Sequence, residues 1–147
     1  MCIRDSGDVT KVNAELLQTL LDVDLVPVIS SLGANANGRI FNINADTTAV
    51  AIAKAMNVDL LILSTMVGGI FNDINDPDSR IAEVSRNSAK KLIKDRIIND
   101  GMIPKVQEAL ALLDQGVDSI VIANPIIKGA FLDIVKQKGG YGTRLVL

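Results

Sequence analysis

Helical stripes and short apolar runs alternate along this chain, and that alternation restricts its fold more than any other feature. Between Thr10 and Leu21 the residues Ala14, Leu16, Leu17, Leu20 and Leu21 recur on a helical period and predict an amphipathic helix. A brief polar connection, Asp22 to Asp24, leads to Val26 to Ile29, which reads as a buried strand. Ala49, Ile52, Ala53 and Met56 form the next stripe. Leu60 to Leu63 is then a continuous apolar run of the kind buried on both faces of a parallel sheet. Further helices are predicted over Asn87 to Arg96, over Met102 to Gln115 with Gly116 as its stop, and over Ala130 to Val135. Ile120 to Ile122 and Arg144 to Leu147 read as strands. Helix and strand alternating without an internal repeat is the pattern of an α/β fold with a mostly parallel sheet. Ser30 to Gly38, rich in Gly and Asn, reads as a surface loop or hairpin. Asn72 to Ser79 reads as a loop or hairpin too, because Asp76-Pro77 cannot continue a helix.

Composition removes several function classes. With 147 residues, 48% of them hydrophobic, the chain is long enough to bury a core. A net charge of -2 gives no broad basic field, and 3% aromatic content without Trp gives no base-stacking platform, so no nucleic-acid partner is expected. No apolar run approaches the ~20 residues of a spanning helix, and the start has no secretory-type apolar stretch. A cytoplasmic protein without a membrane partner is expected. The chain has no His and a single Cys, Cys2, which excludes a His-ligated zinc site, an internal disulfide and a Ser-His-Asp triad. No protein-ligated metal is expected, and the chemistry falls to Lys, Asp, Asn and backbone amides.

Candidate residues lie where strands end or helices begin, the positions at which open α/β sheets hold ligands. In Asn42-Ile43-Asn44-Ala45-Asp46, alternation puts Asn42 and Asn44 on one face and brings Asp46 into the first turn of the next helix. Helix capping with a favourable dipole interaction accounts for the same residues and is favoured on spacing alone. In Gly101-Met102-Ile103-Pro104-Lys105, Pro104 suits a first helical turn and places Lys105 near the helix N-terminus. A cation there is unfavourable by a few tenths to about 1 kcal/mol unless an anion sits between it and the free amides. A solvated surface lysine explains the local sequence equally well. Thr65 to Gly69 follows a strand and would let amides approach a phosphate, although it matches neither GxGxxG nor GxxxxGK[ST]. Gly139 to Thr143 reads as a tight turn before the last strand.

Taken in order, Gly7 to Asn13, Pro27 to Ser31, Asn42 to Asp46, Leu61 to Thr65, Gly101 to Lys105 and Gly142 to Arg144 resemble the amino acid kinase family, and within it the acetylglutamate kinase branch. The resemblance implies a three-layer αβα sandwich. It also implies transfer of the γ-phosphoryl of ATP, accompanied by Mg²⁺, to the side-chain carboxylate of N-acetyl-L-glutamate in arginine biosynthesis. By motif, Asn42 is expected to bind acetylglutamate, Asp46 to orient the catalytic lysines and Lys105 to stabilise the transferring phosphoryl group. Val67, Gly69, Ile70, Ile97 and Asn99 are expected to contact the nucleotide. Phosphoryl transfer asks a protein for positioning and for positive charge, so the absence of His is no handicap.

Three departures from the family pattern shape the expectation. Met66 stands where the family's turn carries Asp, Ala123-Asn124-Pro125 replaces a Gly-containing turn, and the N-terminal half with its Lys-Gly-Gly strand end has no counterpart here. Residues 7–147 are therefore expected to be the C-terminal, nucleotide-binding part of the fold, inactive alone and homo-oligomeric when full length. Residues 1–6 are set apart as a leader foreign to the fold. The alternatives are a related kinase acting on another small carboxylate and a non-catalytic nucleotide-binding module.

Overall fold

Asparagine side chains open both helices in the first of the two units into which this computed structural model divides, at residues 1–57 and 58–147. It describes residues 7–99, 101–114, 117–124, 126–136 and 140–147. Helix α1, Ala14–Asp22, begins with the first residue of its stripe rather than at Thr10, because the Asn13 Oδ1 accepts the Leu16 N–H at 3.2 Å and so fixes the cap there. Strands β1, Leu32–Ala34, and β2, Ile40–Asn42, pair antiparallel, so the Gly- and Asn-rich segment forms a hairpin. Asn35 Oδ1 fastens its tip by accepting from the amides of Asn37 and Arg39, each at 3.0 Å. Helix α2, Ala45–Met56, begins at Asn44, whose Oδ1 accepts from Asp46 N at 2.9 Å and Thr47 N at 3.1 Å.

The expectation of a buried strand at Val26 to Ile29 is not met. Val26 is 84% and Val28 96% exposed, and among the described residues no strand pairs with them. An apolar run reports a tendency to be buried, but a ladder needs a neighbouring strand to take its amides and carbonyls. In this unit only Ile43 and Ala53 are buried hydrophobics among the described residues.

The second unit is built around one sheet of strands β3, Leu60–Ser64, β4, Glu83–Ser85, β5, Ser119–Ala123, and β6, Thr143–Val146. Their order is β3-β5-β6-β4. The β3–β5 and β4–β6 pairs are parallel and the β5–β6 pair antiparallel, which makes the sheet mixed and mostly parallel, as an α/β chain requires. The run Leu60 to Leu63 does form a strand, yet only Leu63 in it is buried. β3 lies at the edge of the sheet, so its residues are half-covered rather than sandwiched. β5, inside the sheet, takes the role expected of β3: Ile120 and Ile122 are fully buried. β4 carries no strand signature in sequence, having a single apolar residue, Val84; it exists because β6 offers it a ladder.

Helices α3, Arg86–Lys94, α4, Met102–Leu113, and α5, Ala130–Val135, fall where the stripes place them. A reciprocal pair starts α3, with Ser88 Oγ accepting from Ser85 N at 2.8 Å and Ser85 Oγ accepting from Ser88 N at 3.3 Å. α4 packs on β5 and β6 and buries Val106, Ala109, Leu110, Leu112 and Leu113. Asn72 to Ser79 is a loop containing one short 3₁₀ turn, Pro77–Ser79, and a bridge between Phe71 and Arg80 closes it. The expected helix stop Gly116 and the turn residue Gly139 lie outside the described residues, as do residues 1–6.

Burial sets the mutational response. Leu112→Ala, at a fully buried site, is expected to lower unfolding free energy by about 2–5 kcal/mol, while Val28→Ser changes it by less than about 0.5 kcal/mol. Urea unfolding of both variants checks this, and a large loss at Val28 contradicts its exposed position.

Candidate functional site

Strand directions decide which loops meet in the second unit. Because β3 and β5 run parallel with Ser64 opposite Ala123, their carboxyl ends lie side by side. β6 enters antiparallel to β5, so its first residue, Thr143, pairs with Ile122 at that same end. The turn after β3, Asn124 after β5 and the Gly140-Tyr141-Gly142 approach to β6 therefore converge, at the end of the sheet where open α/β folds take ligands.

The turn after β3 is held at several points. Thr65 N donates to Ala123 O at 2.9 Å and Gly68 N to Thr65 O at 3.2 Å, which tightens the chain. Asn124 Nδ2 donates to Met66 O at 3.3 Å, and Ile70 N donates to Thr143 Oγ1 at 2.8 Å. Gly68 has φ 84° and Gly69 φ 154°, conformations that side-chain-bearing residues rarely adopt. A Cβ at Gly142 would lie 2.6 Å from Ile122 O, so glycine there is a steric requirement of the strand contact.

α4 brings the cation. Residues 114–118 alone connect α4 to β5, and α4 packs on β5, so the helix runs back against the strand. Its N-terminus, ~18 Å from its other end, thus faces the carboxyl ends of β3 and β5. Gly101 caps this helix without a side-chain hydrogen bond, and Lys105 is half-buried in the opening turns behind Pro104. A helix start and a lysine at the end of the sheet that carries a glycine turn suit a bound anion. Between α3 and α4, the amides of Ile97 and Ile98 both reach Leu92 O, at 2.9 and 3.1 Å. This buries Ile98, half-buries Ile97 and leaves Asn99 exposed.

The remaining expected site residues belong to the first unit. Asn42 is exposed at the end of β2 and its carbonyl accepts the Gly7 N–H at 3.3 Å. Asp46 is half-buried in the first turn of α2, and the capping role falls to Asn44. A cavity of about 630 Å³ in this unit is lined by residues including Lys11, Asn13, Asn35 and Thr48, but by neither Asn42 nor Asp46. Sequence reasoning missed both this cavity and the structural parts of Asn124 and Thr143. The last two act through contacts with residues 58 and 73 positions away, and no local spacing reports such partners. Among the described residues no group of three or more His, Cys, Asp or Glu is placed to hold a metal ion. None of the described helices is long and apolar enough to cross a membrane.

A mostly parallel sheet whose carboxyl ends gather a glycine turn and a lysine-bearing helix start has the layout of α/β proteins that bind ligands at strand ends. The chain belongs to the Amino acid kinase family, whose model matches residues 2–124. It is 41% identical over 140 residues to an acetylglutamate kinase of Anaeromyxobacter sp. (strain Fw109-5), a match covering 95% of this chain and 52% of that protein. Among solved structures it resembles smu.665 from Streptococcus mutans UA159, with 29% identity, a TM-score of 0.75, and coverage of 96% of this chain and 51% of that one. An N-acetylglutamate synthase from Neisseria gonorrhoeae shares the fold, with a TM-score of 0.84, 23% identity, and coverage of 97% of this chain and 32% of that one. The chain thus spans about half the length of the acetylglutamate kinases it matches.

The two asparagines separate by experiment. Asn44→Ala is expected to reduce stability by about 0.5–2 kcal/mol through loss of the α2 cap, and Asn42→Ala by less than about 0.5 kcal/mol. Equal losses in thermal unfolding contradict the assignment of the cap to Asn44.

Proposed function

We propose that residues 7–147 form the C-terminal, nucleotide-binding part of an acetylglutamate kinase, an enzyme of the cytoplasm that phosphorylates the side-chain carboxylate of N-acetyl-L-glutamate with ATP. The observation that carries the reading is the 41% identity to an acetylglutamate kinase across 95% of the chain. The lysine-bearing start of α4, at the same sheet end as the glycine turn, supports it.

In this reading the turn holding Val67, Gly69 and Ile70, together with Ile97 and Asn99, binds the nucleotide. Ile70 serves by holding the shape of the turn, since the residue is 3% exposed and its N–H is given to Thr143. Lys105 places positive charge where the transferring phosphoryl group becomes spread over its oxygens, and needs no proton transfer to do so. Asn42 binds the acetylglutamate, and Asp46 orients the lysines. In this reading Mg²⁺ would accompany the nucleotide, since an ion bound through phosphates and water asks for no dedicated protein cage. When bound, the ion neutralises charge on the phosphates.

One observation favours a second reading, a nucleotide-binding module without catalysis. Met66, 83% exposed in the turn after β3, has a side chain without an oxygen to accept a hydrogen bond from nucleotide or water.

Calorimetry of Mg²⁺-ATP binding to the 147-residue chain, with circular dichroism as the check on folding, tests the nucleotide half. Lys105→Ala is expected to weaken binding by about tenfold or more. Unchanged affinity in the folded variant removes Lys105 from the site, and no binding by the folded parent chain removes the site itself. Assaying the full-length protein against N-acetyl-L-glutamate and other small carboxylates tests the acceptor, and turnover with none of them leaves the non-catalytic module.

A further inference from the structure

We propose that Thr143 is a positioning residue whose hydroxyl holds the Val67 to Ile70 turn in the shape that receives the phosphates of the nucleotide; this rests on the nucleotide reading above. Thr143 is the buried polar side chain among the described residues, with 0% exposure. A hydroxyl has one hydrogen to donate and lone pairs to accept. Here it donates to Ile81 O at 2.7 Å and accepts from Ile70 N at 2.8 Å. Ile81 N in turn donates to Ile70 O at 2.8 Å. One side chain therefore ties the turn after β3, the segment before β4 and the start of β6 into a closed network.

The position of that hydroxyl is itself fixed. Thr143 pairs with Ile122 of the buried strand β5, and Arg144 N donates to Ala82 O at 2.8 Å. The preceding Gly142, at φ 73°, lies so close to β5 that any Cβ would meet Ile122 O, and its carbonyl accepts from the Arg80 guanidinium. Gly69 presses against the hydroxyl from the other side, its ideal Cβ position being 3.1 Å from Oγ1. The lock thus runs from β5 through Gly142 and Thr143 to Gly69.

Its consequence concerns the amides. The turn commits Gly68 N to Thr65 and Ile70 N to Thr143, and among the described residues Val67 N and Gly69 N have no protein partner. Backbone N–H groups of a turn form anion-binding concavities, and Val67 N and Gly69 N are the amides this turn leaves for one. By accepting from Ile70 N and donating to Ile81 O, Thr143 satisfies both buried groups, so Ile81 O does not draw on the amides that the phosphates need.

The test compares Thr143→Val, nearly isosteric but without the hydroxyl, with Thr143→Ser, which retains it, and with Ile122→Val, a core change that keeps the backbone pairing of Ile122 with Thr143. Mg²⁺-ATP affinity is measured by calorimetry and exchange of the Ile70 amide by NMR, both on the 147-residue chain. Thr143→Val is expected to accelerate Ile70 exchange and to weaken Mg²⁺-ATP binding, each by about tenfold, with Thr143→Ser and Ile122→Val within about twofold of the parent. Unchanged affinity or unchanged Ile70 exchange in folded Thr143→Val overturns the proposal, as does an equal affinity loss in Ile122→Val. If Thr143→Val does not fold, Thr143→Ser decides: retained affinity supports the hydroxyl's role, and a tenfold loss overturns it. Weakening by Lys105→Ala without weakening by Thr143→Val leaves the nucleotide site standing and removes only the clamp. A folded parent chain that does not bind Mg²⁺-ATP removes both.

Discussion

Ile120, Val121, Ile122 and Ala123 of β5 are each no more than 3% exposed, and the arrangement of the second unit depends on keeping this one strand dry. A buried backbone must find all of its hydrogen-bond partners within the protein. β3 supplies them on one side in parallel register and β6 on the other in antiparallel register. These two pairings bring the end of β3, the end of β5 and the start of β6 together. α4 then covers the strand with an apolar face that includes the fully buried Val106, Ala109 and Leu112, and it carries Lys105 to the same end. Site and core are thus consequences of one constraint rather than separate designs.

That constraint also explains where glycine is obligatory. At Gly142 a side chain would collide with the carbonyl of Ile122, so the closeness of β6 to β5 and the absence of a Cβ are the same fact. Gly69 lies against Thr143 for a related reason. A pair of segments that looks like ordinary turn composition in the sequence becomes an interlocked contact between residues more than seventy positions apart.

The first unit is organised differently. Its secondary structure is fixed locally, by Asn13, Asn35 and Asn44 accepting backbone N–H groups within a few residues of themselves. Its burial is slight: Leu16, Leu25, Val26, Val28, Leu32 and Ile40 are all exposed, and a cavity of about 630 Å³ opens beside Leu16 and Leu32. Local capping sets the direction and length of an element, whereas burial requires partners from elsewhere.

Taken alone, the sequence determined the α/β class, the placement of α2, α3, α4 and α5, the hairpin as one of two readings of its loop, and the family to which the chain belongs. These are local or motif-level properties, set by helical period, by Asn and Ser at caps and by Gly in turns, and such signals survive without knowledge of the neighbours. Tertiary structure decided that Val26 to Ile29 pairs with no strand among the described residues, that β5 rather than β3 lies within the sheet, and that Glu83 to Ser85 becomes a strand. It likewise turned Thr143 from a residue at the end of a turn into the buried link between two loops. Strand partnership and the satisfaction of buried polar groups depend on which distant segments meet, and periodicity along one chain carries no record of that meeting.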